Sequence, residues 1–182
     1  MPQSKSDSKS SKSTDAIALL MADHKAVKAM FKQFEDIKDD EDAEDEKQEL
    51  VQRICAELTV HTSIEEEIFY PAVRDAIDGD EIVDEAEVEH ASAKDLIQQL
   101  EGASPGDDQY DAKVKVLSEL IEHHVEEEEG EMFPKAKKAI DVEAVGIELA
   151  ARKQELAPPD KDDMSPPSRA RKTQSGRSGK RA

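Results

Sequence analysis

His61-Thr-Ser-Ile-Glu65-Glu66-Glu67-Ile-Phe-Tyr-Pro71 and His124-Val-Glu-Glu-Glu128-Glu129-Gly-Glu-Met-Phe-Pro134 are two copies of one pattern. In each, a Glu follows the His by four positions and a Pro follows it by ten. Residues four apart share one face of an α-helix, about 6 Å apart along its axis. One helix can thus offer an imidazole nitrogen and a carboxylate oxygen to the same point. The first block continues an apolar stripe through Leu50, Ile54, Leu58, His61, Glu65, Ile68 and Ala72. The second continues Val114, Leu117, Ile121, His124, Glu128, Met132 and Ala136. Steps of three and four are the helical period. They predict long helices over about 45–76 and 107–140. Pro71 lacks an N–H and is expected to kink or weaken the last turns of the first.

Working outward, two more amphipathic stretches appear. One runs from about residue 15 to Lys38, with Leu20, His24, Val27, Phe31 and Phe34 on one face. Ser13-Thr14-Asp15 supplies caps for its start. The other runs from about Glu81 to Glu101, with Ile82, Ala86, His90, Ala93, Ile97 and Leu100 on one face. The acidic run Asp39–Asp45, Asp78-Gly79-Asp80 and Gly102–Gly106 separate them as turns. The expected fold is all-α, an up-down-up-down four-helix bundle.

The histidines test that topology. In an antiparallel helix pair, residues at one level lie equally far from the turn between them. Halfway between His24 and His61 is the acidic loop; halfway between Glu65 and His90 is the Asp78-Gly79 turn. Halfway between His90 and His124 is Asp107, beside Gly106. Six residues are therefore expected near one level of the core: His24, His61, Glu65, His90, His124 and Glu128. Buried imidazoles and carboxylates without partners are costly, so such a group reads as a metal site of nitrogen and oxygen ligands. That donor set fits iron, with manganese or zinc also suited.

The chain has 182 residues and a net charge of −19. Residues 1–14 carry +2 and residues 164–182 carry +6, which leaves −27 between them. An acidic body repels a phosphate backbone, so nucleic acid is an expected partner only through the basic tail, if at all. Residues 1–14 read as a disordered N-terminal tail, 15–140 as the bundle and 141–157 as a short C-terminal helical extension. Pro158-Pro159 opens a disordered basic tail over 158–182. The one cysteine, Cys55, has no internal disulfide partner and reads as packing. There is no secretory signal in 1–14 and no stretch that would span a bilayer, so a cytoplasmic protein is expected.

These residues resemble the hemerythrin-like family, in the branch named for its His-His-Glu cation-binding motif. The likeness covers about residues 15–140 and rests on His24, HTSIEEEIFYP, His90 and HHVEEEEGEMFP. It implies two non-haem irons per chain. His24, His61, His90 and His124 would be terminal ligands, and Glu65 and Glu128 bridging carboxylates. It also implies binding or sensing of O2 or a related small oxidant, or iron handling, with a diatomic molecule or peroxide as partner. The oxygen-carrying members place a second His one turn from the one on the third helix. Here Ala86 and Lys94 flank His90, so a seventh ligand is missing or comes from elsewhere. A di-iron enzyme consuming hydrogen peroxide and a metal-free helical interaction module are the alternatives.

Some residues have blander readings. His123 with Glu127 is a competing frame, about 100° from the apolar stripe and out of step with Pro134. His123 is accordingly read as exposed or outside the ligand set. Glu66, Glu67, Glu126, Glu127 and Glu129 read as a solvated acidic face, with one of them open as a supplementary ligand. Phe69-Tyr70 and Met132-Phe133 read as closing one end of the bundle, and nothing in the sequence supports a gating role for Tyr70.

Overall fold

The computed structural model describes residues 15–77 and 80–157. Both expected tails and the Asp78-Gly79 turn lie outside the described residues. Within them the chain forms helices and turns, with no strand.

Asp15 caps α1 (Ala16–Ile37), its carboxylate accepting from the N–H groups of Ile17 and Ala18. The acidic loop closes in a short 3-10 turn, Glu41–Ala43, and leads into α2 (Glu44–Ile64). Glu44, Asp45 and Glu46 fill the first turn of α2, where the helix dipole favours negative charge. A π-helical turn, Glu65–Phe69, joins α2 to α3 (Tyr70–Ala76). Next come α4 (Asp80–Glu101) and α5 (Tyr110–Glu127). α5 begins at Tyr110, not near Asp107, because Gly106 and Gln109 adopt φ of 89° and 69°, outside the helical region. A second π turn, Glu128–Met132, joins α5 to α6 (Phe133–Ala139). Finally, Asp141 caps α7 (Val142–Leu156).

The two prolines do not break their helices. In the wide turn before each one, a backbone N–H reaches back five residues: Tyr70 to Glu65, and Phe133 to Glu128. In a regular helix a proline ring collides with the carbonyl four residues back. The extra residue of the π turn absorbs that conflict, so the expected kink appears as a widened turn. It also corrects the expected buried face. Ile68 and Ala72 are only half-buried, while Phe69, Tyr70 and Val73 are fully buried. The wide turn demands a step of four from Glu65, where the expectation took three. In the second block, steps of four from Glu128 to Met132 and Ala136 do land on buried residues.

α1 packs on α2, α2 on α4, α4 on α5, and α5 returns to α1, making a helical bundle. α7 lies against α1, α2 and the first π turn. The apolar core falls into two clusters. One includes Phe34, Ile54, Leu58 and Leu117; the other includes Leu20, Ile64, Phe69 and Leu149. α1, α2 and α4 each pass from one cluster to the other at a histidine, and the chain from α5 into the second π turn does so between Val125 and Met132, at Glu128. A polar layer thus splits the core.

Leu149 on α7 is fully buried in the second cluster. Leu149→Ala is expected to destabilise the fold by about 2–5 kcal/mol, through lost burial and the cavity left behind. Urea unfolding followed by circular dichroism measures this. An unchanged midpoint would mean that α7 docks without contributing to the core.

Candidate metal centre

All six residues expected at one level meet there, each at most 5% exposed. The Nε2 atoms of His24 and His61 lie 3.1 Å apart, and so do those of His90 and His124. Glu65 Oε2 lies 3.2 Å from His61 Nε2 and 3.5 Å from His90 Nε2. Glu128 Oε2 lies 3.3 Å from His24 Nε2 and 3.5 Å from His124 Nε2. Each carboxylate therefore stands between the two histidine pairs. The side chains form two groups, His24-His61-Glu65-Glu128 and Glu65-His90-His124. Within each group the ligand atoms lie within 4.8 Å of one another. His123 is not part of this layer: its side chain is 61% exposed and faces Glu127.

A second ring of carboxylates orients the imidazoles. His24 Nδ1 donates to Glu129 Oε1 at 2.9 Å, His90 Nδ1 to Glu66 Oε1 at 3.0 Å, and His124 Nδ1 to Glu89 Oε2 at 2.8 Å. His61 Nδ1 faces Asp23 Oδ2 at 3.6 Å, too long for a hydrogen bond. Each imidazole thus turns Nδ1 outward toward an acid on a neighbouring helical stretch and Nε2 inward. Carboxylates so placed fix the tautomer and ring direction of metal-binding histidines. Glu66 and Glu129, expected as part of a solvated face, are half-buried and hold His90 and His24. Asp23 and Glu89 each directly precede a lone core histidine in the sequence, yet each faces the ring of a different one, His61 and His124.

The arrangement fits a cation. A nitrogen that donates through Nδ1 presents a lone pair at Nε2. His90 and His124 both do so, with their Nε2 atoms 3.1 Å apart. Two lone pairs at that distance need a proton or a metal ion between them. Glu65 Oε1 and Oε2 and Glu128 Oε2 are buried with no hydrogen-bond partner. Without a metal, burial and then the neighbouring Glu128 charge push the Glu65 carboxyl well above its usual range. Burial also opposes ionisation of Glu128, but His24, His124 and His61 outweigh it and hold that carboxyl low. Burial pushes His90 down to about 3.

At their matching aromatic positions the two halves differ by one hydroxyl. Tyr70 and Phe133 occupy matching places, each just before the proline of its block. Phe133 stacks on His24, with centroids 5.6 Å apart and planes at 7°. Tyr70 instead brings a hydroxyl into the layer. It donates to Glu128 Oε1 at 3.0 Å and lies 3.1 Å from His90 Nε2. Its one readable signal is the Tyr-to-Phe difference between the two blocks.

A bundle whose core carries two His-x3-Glu pairs and two lone histidines defines a class of cation-binding domain. Residues 15–136 match the family described as the hemerythrin HHE cation binding domain, and the chain belongs to that family. Among solved structures it resembles a hemerythrin HHE cation binding domain-containing protein, the Rv2633c homolog from Mycobacterium kansasii. The TM-score is 0.65 at 23% identity, over 78% of this chain and 86% of that one, a likeness of fold. It is also 33% identical over 86 residues to a protein named DNA nickase from Nostoc sp. (strain PCC 7120 / SAG 25.82 / UTEX 2576). That match spans 47% of this chain and 24% of the Nostoc protein.

Glu65→Gln should separate metal binding from stability. A carboxyl raised on folding contributes stability below its ordinary range, and that contribution is lost as pH rises above it. The neutral amide escapes this loss. At pH 7.5 metal-free Glu65→Gln is expected to unfold at a higher temperature than metal-free wild type. The gap should close toward pH 4.5, and the variant should hold little metal. Thermal scans and elemental analysis read both. A less stable variant at pH 7.5 would show that Glu65 is not strained by its burial.

Proposed function

We propose that this protein is a hemerythrin-like non-haem di-iron protein that binds or senses O2 or a related small oxidant. The observation that carries this reading is the placement of Glu65 and Glu128 between two histidine pairs. That is the pattern needed for two ions joined by carboxylates. His24 and His61 would hold one ion and His90 and His124 the other. Mixed imidazole and carboxylate donors suit iron, with manganese and zinc the competitors. Bound iron would supply the redox chemistry. The up-down-up-down order of a four-helix bundle belongs to the same reading, supported by the contacts that run around α1, α2, α4 and α5 in sequence order.

The protein's own part is to select and exclude. A small cavity beside the histidines is walled by Val27, Leu58, Ile121 and Val125. Its volume of about 10 Å³ is at the lower limit for a single water, so the walls exclude all but the smallest guests. The orphaned carboxylate oxygens weigh against a metal-free interaction module. The activity in the Nostoc protein's name is not part of this reading, since the shared segment is a small part of that protein and the acidic body repels phosphate. Among the described residues, no helix is long and apolar enough to cross a membrane. A free, buried Cys55 is in keeping with the reducing cytoplasm.

Consumption of hydrogen peroxide is the second reading, favoured by Tyr70. Its hydroxyl is a buried proton donor among the candidate ligands, and cleavage of peroxide needs protons at oxygen.

Protein from iron-replete cells should carry two irons per chain and a visible absorption band that changes reversibly with O2. Iron content no higher in wild type than in His61→Ala would sink the di-iron reading. Steady peroxide turnover that falls at least about tenfold in Tyr70→Phe, with iron content kept, would favour the enzyme.

A further inference from the structure

The two faces of the bundle are closed differently. On the α1–α2 face, α7 lies over the first π turn. Lys153 Nζ pairs with Asp23 Oδ1 at 2.5 Å, and Arg152 pairs with Glu67 at 2.6 Å. The carboxylate behind His61 is therefore covered and neutralised. On the α4–α5 face the matching carboxylate is Glu89, behind His124, and no lysine or arginine ion pair to it is found among the described residues. It meets His123 and Glu127 instead.

Glu89 is a shared group. Its Oε2 accepts from the buried His124 Nδ1 at 2.8 Å, while Oε1 lies 3.7 Å from His123 Nε2. Glu127 Oε1 lies 3.4 Å from the same Nε2. Ligand atoms of Glu89, His123 and Glu127 all fall within 4.8 Å of one another, with His123 exposed and the two acids half-buried. The internal repeat sharpens the contrast. Where the second block has His123 and Glu127, the first has Val60 and Ile64. A second set of metal-binding side chains thus occurs in one half only, on the face that α7 leaves open. The shared carboxylate reaches from it to the buried layer.

From this juxtaposition we infer that Glu89, His123 and Glu127 form a surface divalent-cation site through which metal reaches the buried centre. The loading role rests on the di-metal reading above; the existence of the surface site does not. One nitrogen and two carboxylates suit a borderline divalent ion such as Fe2+, Mn2+ or Zn2+. Exposure of His123 keeps such a site weaker than the buried one, as a transfer site must be. The −27 charge between the two tails raises the local cation concentration around it.

Two measurements on the full chain test this. The first is equilibrium dialysis with Co2+ on Glu65→Gln protein, whose buried centre is disabled. One equivalent should bind, and adding His123→Ala should weaken it at least about tenfold. No Co2+ bound, or equal binding in the double variant, overturns the surface site whether or not the buried centre holds metal. The second is anaerobic mixing of metal-free wild type, His123→Ala and Glu127→Gln with Fe2+. Iron kept per chain after desalting, which strips the weaker surface site, should be the same in all three, with filling several-fold slower in both variants. Equal filling rates overturn the loading role. Wild type taking up no more iron than Glu65→Gln would remove the di-iron reading and the loading role together, leaving the Co2+ result to decide the site.

Discussion

Four imidazoles and two carboxylates occupy one layer of an otherwise apolar core, and the rest of the structure is arranged around the cost of putting them there. Removing charged or strongly polar groups from water costs several kcal/mol each unless partners replace the lost hydration. The outer side of the layer has such partners: acids face the Nδ1 atoms of all four rings. The inner side does not, since both oxygens of Glu65 and one of Glu128 are orphaned. The two glutamates show what partners are worth. Burial works against ionised Glu128, but His24, His124 and His61 outweigh it and hold its carboxyl low. Glu65, equally buried, has no donor, and its carboxyl is driven up. A cation is the one kind of partner that would serve both carboxylates and every Nε2 at once.

The demands of that layer also explain the helix irregularities. Both π turns begin at a candidate bridging glutamate and end just before a proline's helix. A regular helix would continue the apolar face three residues on from Glu65. The wide turn instead puts Glu65, Phe69 and Tyr70 all into the core. From there the tyrosine hydroxyl donates to Glu128. The proline and the π turn are two ends of one device, and the repeat carries it twice.

Most of the layer was legible in the sequence, because helical period and turn position are properties of single segments. His24, His61, Glu65, His90, His124 and Glu128 follow from stripes and from distances to turns. Three things were not legible. The step after Glu65 was misread because the π turn is a local exception to the period that located everything else. Asp23, Glu66, Glu89 and Glu129 were invisible as partners because each serves a histidine on a different helical stretch. Exposed-looking acids beside core positions reveal such cross-helix pairing only once packing is known. Tyr70 was passed over for the same reason: its ring reads as ordinary core, and the partners of its hydroxyl lie on α4 and the second π turn.

The four outer carboxylates are alike in position but not in strength. Asp23 is shared with Lys153 and Glu66 with Lys94, while Glu89 is paired with no lysine or arginine among the described residues. A carboxylate neutralised by lysine pulls less strongly on the imidazole N–H it faces. The rings are not alike either. His61 and His90 are lowered, chiefly by burial, and their outer acids do not make good the loss. His124 is buried too, yet hydrogen bonding to Glu89 and the nearby Glu128 charge carry it upward. The His90–His124 pair is therefore unequal, although the two rings are the same residue at the same depth. Burial and the nearby His124 charge lower His90, with Lys94 adding least, while Glu89 on the outer side lifts His124 against its burial. One layer of like residues thus holds rings in unlike surroundings, set by the acids and charges packed around each.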